Sequence, residues 1–264
     1  MAEEGVNPVA RAGFGRGAEA YDRARPGWPA EAALAALERF GVEAAGARVV
    51  DLAAGTGRLT RVLASLGCDV AAVEPVDEMR ALVRSASEVV AGTAESIPLP
   101  DASRDAVFVA EAFHWFDAPA ALPEIARVLR PGGGMALMWN VGVKVGEREA
   151  WRDEVVELVA DVYCHPQGRS VPAATGNVAR EDDDWRQGPG WELFEPLTEL
   201  AFEHSQTLTA EDYVVLVSSW SFVSVLDDGP RAELLDGVRA VLERHGVESF
   251  EQRWRTDLYL TRRL

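Results

Sequence analysis

One stretch of this sequence holds the residue types that ligand chemistry needs: Val49-Val50-Asp51-Leu52-Ala53-Ala54-Gly55-Thr56-Gly57-Arg58-Leu59-Thr60. An apolar run carries an acid, a glycine-bearing turn follows, and a helical pattern begins near Arg58. Gly55 and Gly57 lack a Cβ, so the turn can be tight and a ligand can lie against the backbone. The helix starting near Arg58 would point free N–H groups and its positive dipole end at that ligand, favouring a carboxylate or phosphate. Asp51 needs a donor if buried, either the backbone amides of the turn or the amino group of a ligand amino acid. Glu74 closes a second apolar run, where a carboxylate can accept hydrogen bonds from both hydroxyls of a ribose. The bland alternative for Glu74 is a solvated acid at a helix entry. Pro75, Val76 and Met79 beside it offer an apolar wall for an adenine ring. The turn lacks the third glycine of a dinucleotide fingerprint, so an NAD-binding oxidoreductase stands as an alternative reading. A non-catalytic cofactor-binding protein is the other.

These residues must be held by a regular scaffold, and the chain supplies one. The spacing of Leu34, Leu37 and Phe40 predicts a helix from Ala30 that stops at Gly41. Short apolar runs at Ala47–Leu52, Asp69–Val73, Glu88–Ala91, Asp105–Ala110 and Gly134–Trp139 read as strands. Helical patterns at Arg58–Leu66, Asp77–Arg84 and Leu122–Leu129 fall between them. That alternation predicts an α/β fold with a Rossmann-like, doubly wound, mainly parallel sheet whose strands are buried on both faces. Beyond Asn140 the pattern changes. Helices are expected at Glu147–Tyr163, Glu211–Leu226 and Arg231–His245, and strands at Leu197–Leu208 and Gln252–Thr261. Residues 1–20 read as mobile, with Gly13, Gly15 and Gly17 breaking any periodicity. Pro166 to Gly190 reads as turns, and its acidic run Glu181-Asp182-Asp183-Asp184 as a solvated loop. Trp220 and Phe222 read as core.

Bulk properties narrow the partners. The 264 residues carry 26 Lys+Arg against 43 Asp+Glu, a net charge of −17, which disfavours nucleic acid and anionic membranes. A small molecule is the expected partner, and the oligomeric state is left open. Cys68 and Cys164 sit in no metal-ligand spacing, so they read as free thiols with no metal site. Met1 to Gly5 lacks the basic and apolar regions of a signal peptide, and no apolar run reaches the ~18 residues of a membrane helix. The expected compartment is the cytoplasm.

The ordered set of segments resembles the class I S-adenosylmethionine-dependent methyltransferases. Their first motif usually has a further glycine and a cysteine where this chain has Ala53 and Ala54. Ala91-Gly92-Thr93-Ala94-Glu95-Ser96-Ile97-Pro98-Leu99-Pro100 is similar to the family's loop after strand three. Asp105–Ala110 is similar to strand four, and Glu124–Gly133 to the helix-turn signature before strand five. Tyr21-x-x-x-Arg25-Pro26-x-Trp28-Pro29 and Phe113-His114-Trp115-Phe116 resemble the type 11 branch, which includes trans-aconitate methyltransferase-like enzymes; Trp28 stands where tyrosine is more usual. The resemblance implies a seven-stranded sheet with an antiparallel final strand, S-adenosyl-L-methionine as cofactor, and methyl transfer to a small molecule at a hydroxyl or carboxylate oxygen. Asp51, Ala53, Gly55 and Gly57 would hold the amino-acid end of the cofactor, Glu74, Pro75 and Met79 its ribose side, and Thr93, Ala94 and Glu95 its adenine. Ala110 and Glu111 would line the carboxyl edge. Tyr21, Arg25, Trp28, His114 and Trp115 would face the substrate. His114 would act either as a base toward a hydroxyl or only as a pocket wall beside Trp115. Arg25 would pair with a carboxylate of substrate or cofactor, or simply form a surface ion pair. The chain is expected to be one methyltransferase domain over 1–264: a lid segment at 1–40, a cofactor-binding core at 41–140, and C-terminal strands with substrate-cap helices at 141–264.

Overall fold

The computed structural model describes residues 22, 25–143, 149–163, 185–224 and 226–264. The expectations for residues 1–20, Tyr21, Cys164, the Glu181–Asp184 run and the side chain of Phe222 lie outside the described residues. So does most of the turn-rich stretch from Pro166.

The first half runs α1 (Ala30–Arg39), β1 (Arg48–Leu52), α2 (Arg58–Ser65), β2 (Asp69–Val73), α3 (Asp77–Arg80), β3 (Glu88–Val90), β4 (Arg104–Ala110), α4 (Ala118–Val128) and β5 (Leu129–Gly142). The second half runs α5 (Ala150–Tyr163), β6 (Thr198–Thr209), α6 (Ala210–Ser218), α7 (Ser221–Ser224), α8 (Asp228–Arg244) and β7 (Ser249–Arg262). The strands form a seven-stranded sheet in the order β3-β2-β1-β4-β5-β7-β6. The first five are parallel, while β7 runs antiparallel to both β5 and β6. The expected mainly parallel, doubly wound sheet with an antiparallel final strand is the one observed.

Both faces of the central strands are covered, which is why their sequences are apolar without alternation. Val49, Val70, Ala106, Phe108 and Met138 pack against α1 and α2 on one face. Val50, Ala71, Val107, Leu137 and Trp139 pack against α4 and the loop after β3 on the other. A third cluster joins α5, α6, α7 and α8 to Leu208 of β6.

Several element boundaries moved. In α1 the buried stripe is Ala32, Ala33, Ala36, Leu37 and Phe40, whereas Leu34 is 43% exposed. A spacing of three drifts around a helix of 3.6 residues per turn, so Leu34 cannot share a face with Phe40. Helix α4 begins earlier than its apolar pattern suggested, because Pro119 in the first turn needs no amide partner there. Helix α3 stops at Arg80, short of the expected Arg84. The single helix expected over Glu211–Leu226 is broken at Ser219-Trp220. There the Ser218 and Ser219 hydroxyls donate back to the carbonyls of Val215 and Leu216, and the Ser219 carbonyl accepts from Arg25. Side-chain bonds of this kind compete with continued helix. Trp220 packs against the third cluster, as core.

Candidate active site

The strand order places a crevice at the carboxyl edge where β1 sits between β2 and β4, the usual ligand position in doubly wound sheets. A cavity opens there. From β2 toward β5 it is lined by Glu74, the turn after β1, Glu111 just past β4, and Asn140 of β5.

The turn after β1 is built from three left-handed residues: Ala53 at φ +58°, Gly55 at +57° and Gly57 at +80°. The two glycines do different work. A Cβ on Gly55 would meet no atom within 4 Å, and Gly55 lines the cavity, so its bare backbone forms an open cradle. A Cβ on Gly57 would lie 3.1 Å from Val83 Cγ1 and 3.2 Å from Val83 Cα. Gly57, expected at the ligand, is instead packed behind the turn and does not line the cavity. Ala53 lines the cavity in a backbone conformation that costs a non-glycine residue about 1 kcal/mol.

Glu74 is 5% exposed and spans the crevice floor. Its Oε2 accepts from the Gly55 amide at 2.8 Å and its Oε1 from the Val76 amide at 2.9 Å. Burial raises its pKa above the usual carboxylate value, against the lowering effect of those two amides. Pro75, Val76 and Met79 wall this end of the cavity, as their positions suggested.

Asp51 is 1% exposed. Its donor is neither a turn amide nor, in the protein alone, a ligand: Thr60 donates its hydroxyl to Oδ2 at 2.5 Å and its backbone amide as well. Burial pushes the Asp51 pKa up to about 6, from 3.8. A raised folded-state pKa means the folded protein holds a proton that the unfolded chain releases. The associated stability is therefore present below pH ~4 and lost as pH rises through about 6. In urea unfolding of the ligand-free protein, Asp51→Asn should gain on wild type by roughly 3 kcal/mol between pH 4 and pH 7. A pH-independent difference would refute this ionisation.

Asp22 and residues 25–28 lie across this turn as a strap. Arg58 donates to the carbonyls of Asp22, of Arg25 at 2.5 Å and of Pro26 at 3.3 Å. Asp22 in return accepts from Thr56 Oγ1 at 2.6 Å and from Arg61 at 2.8 Å. Arg25 and Trp28 line the cavity. Arg25 donates Nε and Nη2 to the side chain and carbonyl of Ser219, which ties the strap to α6. Arg58→Ala should free the strap. Limited proteolysis within residues 25–28 should then accelerate severalfold while the melting temperature changes by only a few degrees. Unchanged cleavage would show that the strap is held elsewhere.

Thr93, Ala94 and Glu95 line the cavity on the loop after β3. That loop is braced from α4: Glu124 accepts the Ile97 amide at 2.9 Å, and Arg127 donates to the carbonyls of Ile97 and Leu99. Glu95 also accepts the Asp117 amide at the start of α4 at 3.0 Å. Ala110, Glu111 and Trp115 complete the expected wall, and Phe116 adds to it. His114 does not line the cavity. It stands on an exposed rim, its ring 4.9 Å from that of Trp115 and its Nδ1 3.5 Å from Trp139 Nε1. Desolvation beneath that rim and the Arg25 cation hold its pKa below the usual value.

Asn140 was missed. It is 4% exposed, donates Nδ2 to the Gly27 carbonyl at 3.1 Å, and its Oδ1 accepts from Thr256 at 2.6 Å. His204 Nε2 lies 3.2 Å from the same oxygen. The available signal was a polar residue following the apolar run Met135–Trp139. Among the described residues no group of three or more His, Cys, Asp and Glu could hold a metal, and no helix is long and apolar enough to cross a membrane. Cys68 is buried, with its thiol pKa pushed up to about 11.

Residues 50–137 match the profile of a family described as "Methyltransferase domain". An uncharacterized methyltransferase of Mycobacterium tuberculosis is 38% identical over 236 residues, covering 88% of this chain and 86% of that protein. A malonyl-[acyl-carrier protein] O-methyltransferase of Serratia marcescens is 35% identical over 125 residues, 44% of this chain and 49% of its own length. Among solved structures, one described as a type II methyltransferase from Anaeromyxobacter dehalogenans has a TM-score of 0.60 at 24% identity, covering 90% of this chain and 97% of its own.

Proposed function

The chain belongs to the class I S-adenosylmethionine-dependent methyltransferases, and from that premise we propose that it methylates a small-molecule acceptor in the cavity at the β1–β4 crevice. S-Adenosyl-L-methionine is its cofactor, which sets aside the dinucleotide alternative. The observation that carries the reading is the pairing of an open Gly55 cradle with a buried Glu74 in one cavity. A group bearing both an amino acid and a ribose fits that pair.

Bound there, the cofactor supplies an electrophilic methyl group; the protein's part is to bind, orient and exclude water. In this assignment Gly55, Ala53 and Asp51 hold the amino-acid end. Glu74 takes the ribose hydroxyls, with Pro75 and Met79 beside it. Thr93, Ala94 and Glu95 face the adenine, and the backbone of Ala110 and Glu111 closes the floor. Gly57 supports the turn from behind. Arg25, Trp28 and Trp115 face the acceptor. His114 shapes the rim and is not assigned as the base.

A single domain carries these parts, with 41–140 as the cofactor core and 141–264 as the C-terminal strands and substrate-cap helices; within the lid segment expected at 1–40, α1 instead packs in the core. O-methylation of a hydroxyl or a carboxylate is the favoured reaction. Support for O-methylation comes from the malonyl-[acyl-carrier protein] O-methyltransferase relative, and for a carboxylate from the resemblance to the trans-aconitate branch. The relative's match spans under half of this chain. A chain of net charge −17 without a membrane-spanning helix among the described residues suits a small acceptor in the cytoplasm.

The test is calorimetry with S-adenosylhomocysteine and NADH, followed by incubation with labelled cofactor and a metabolite extract. Binding of the nucleoside alone and one labelled small product are expected. Binding without any labelled product would favour a non-catalytic protein, and NADH binding would overturn the reading.

A further inference from the structure

We infer that the Glu111 side chain receives the proton of a neutral O–H or N–H acceptor at the β4–β5 end of the cavity. This rests on the methyltransferase reading above and adds the proton's destination and the acceptor class.

The first argument is placement. Glu111 follows the last residue of β4 and lines the cavity with Arg25, Trp28, Trp115 and Asn140. Strands β2 and β4 flank β1, so Glu111 lies roughly 10 Å across the sheet edge from the Glu74 end. The ribose end and Glu111 are thus on opposite sides of the cradle, and the acceptor side is the one Glu111 occupies. Its backbone is held at φ +53°, a left-handed conformation that disfavours any side chain with a Cβ. Such strain at a cavity wall is a mark of function, since glycine would relieve it.

The second argument is the state of the carboxylate. Its Oε1 accepts the Asn140 amide at 2.8 Å. Among the described residues that is the carboxylate's one hydrogen bond, so Oε2 is left for a ligand. The cation acting on it is Arg25, from the strap; β5 contributes only the uncharged Asn140 amide. His114, three residues on, stands on the exposed rim. Desolvation of this half-buried carboxyl outweighs Arg25 and brings the Glu111 pKa to about 7. A base titrating near neutral pH accepts a proton readily and releases it again. His114, held below its usual value and outside the cavity, is the weaker base.

The third argument is charge. A carboxylate acceptor would bring a second negative charge beside Glu111, an unfavourable pairing. A hydroxyl or amine instead has a proton to give. In the step, the acceptor O or N forms a bond to the methyl carbon as the carbon–sulfur bond breaks, the sulfur keeping that electron pair. The acceptor's proton passes to Glu111 Oε2, and later to solvent.

The test uses the full chain with [13Cδ]-glutamate labelling, saturated with S-adenosylhomocysteine, for wild type and Glu111→Gln. One carboxyl resonance titrating between pH 6 and 8 in wild type and missing from the variant is expected. A Glu111 resonance titrating below pH 5 overturns the proposal whatever the acceptor is. Glu111→Gln should bind S-adenosylhomocysteine within about threefold of wild type, yet lower kcat on the labelled acceptor by 100-fold or more. It should also flatten the rise of kcat with pH through neutrality. A methyl ester as product, or a variant within threefold of wild-type kcat, also overturns it. Failure of wild type to bind S-adenosylhomocysteine would sink the methyltransferase reading itself, which separates the two outcomes.

Discussion

Glu74→Ala should weaken S-adenosylhomocysteine binding by at least about 100-fold in calorimetry, the largest loss expected from any single truncation in the cavity. Hydrogen bonds to an ionised group contribute about 1.5–3 kcal/mol each, and a ribose can use two of them. The same carboxylate also holds the Gly55 and Val76 amides, so alanine loosens the cradle and the wall beside it together. Glu74→Gln keeps one accepting oxygen and should lose about tenfold. Wild-type affinity within threefold for Glu74→Ala would remove Glu74 from the binding site. Circular dichroism of the variant at the assay temperature distinguishes that result from loss of fold.

Valine at Gly55 and valine at Gly57 should fail in opposite ways. At Gly55 the added side chain points into the open cradle, so affinity for the nucleoside should fall below detection. Stability should drop only by the backbone cost of about 1–2 kcal/mol. At Gly57 the same backbone cost is joined by collision with Val83, whose main chain cannot swing aside as a flexible side chain would. A loss of about 3 kcal/mol or more in urea unfolding is expected, with affinity retained by whatever fraction stays folded. Equal losses of stability at the two positions would show that both glycines serve packing.

The sheet was legible because its strands are buried on both faces and its turns carry glycine, so Asp69–Val73 could be placed to the residue. The acids that close β1 and β2 were legible for a related reason: a carboxylate at the end of an apolar run has few ways to be satisfied. The partner of Asp51 was not, because Thr60 reaches it only once α2 has wound one turn. Gly55 and Gly57 look alike in sequence, and what separates them is Val83, a residue far along the chain. Asn140 escaped notice because its importance comes from Gly27 and Thr256, brought to it by the strap and by β7. His114 drew attention as a titratable side chain near the right edge, but the 3-10 turn at Phe113–Trp115 sends it to the rim. Residue type suggested the chemistry there, and backbone geometry assigned it to Glu111.

The placement of β7 between β5 and β6 sets the order in which the fold can be completed. Strand β6 precedes β7 in the chain, yet every ladder bond tying it to the sheet passes through β7. During synthesis β6 therefore has no place to dock until some forty residues later, after α8, when β7 pairs along β5 from Gly134 to Gly142. Pairing strands this distant in sequence is slow, so assembly should show a long-lived intermediate in which the β1–β5 half is ordered and β5 presents an open edge. That edge is where chaperone dependence and aggregation of the nascent protein would concentrate.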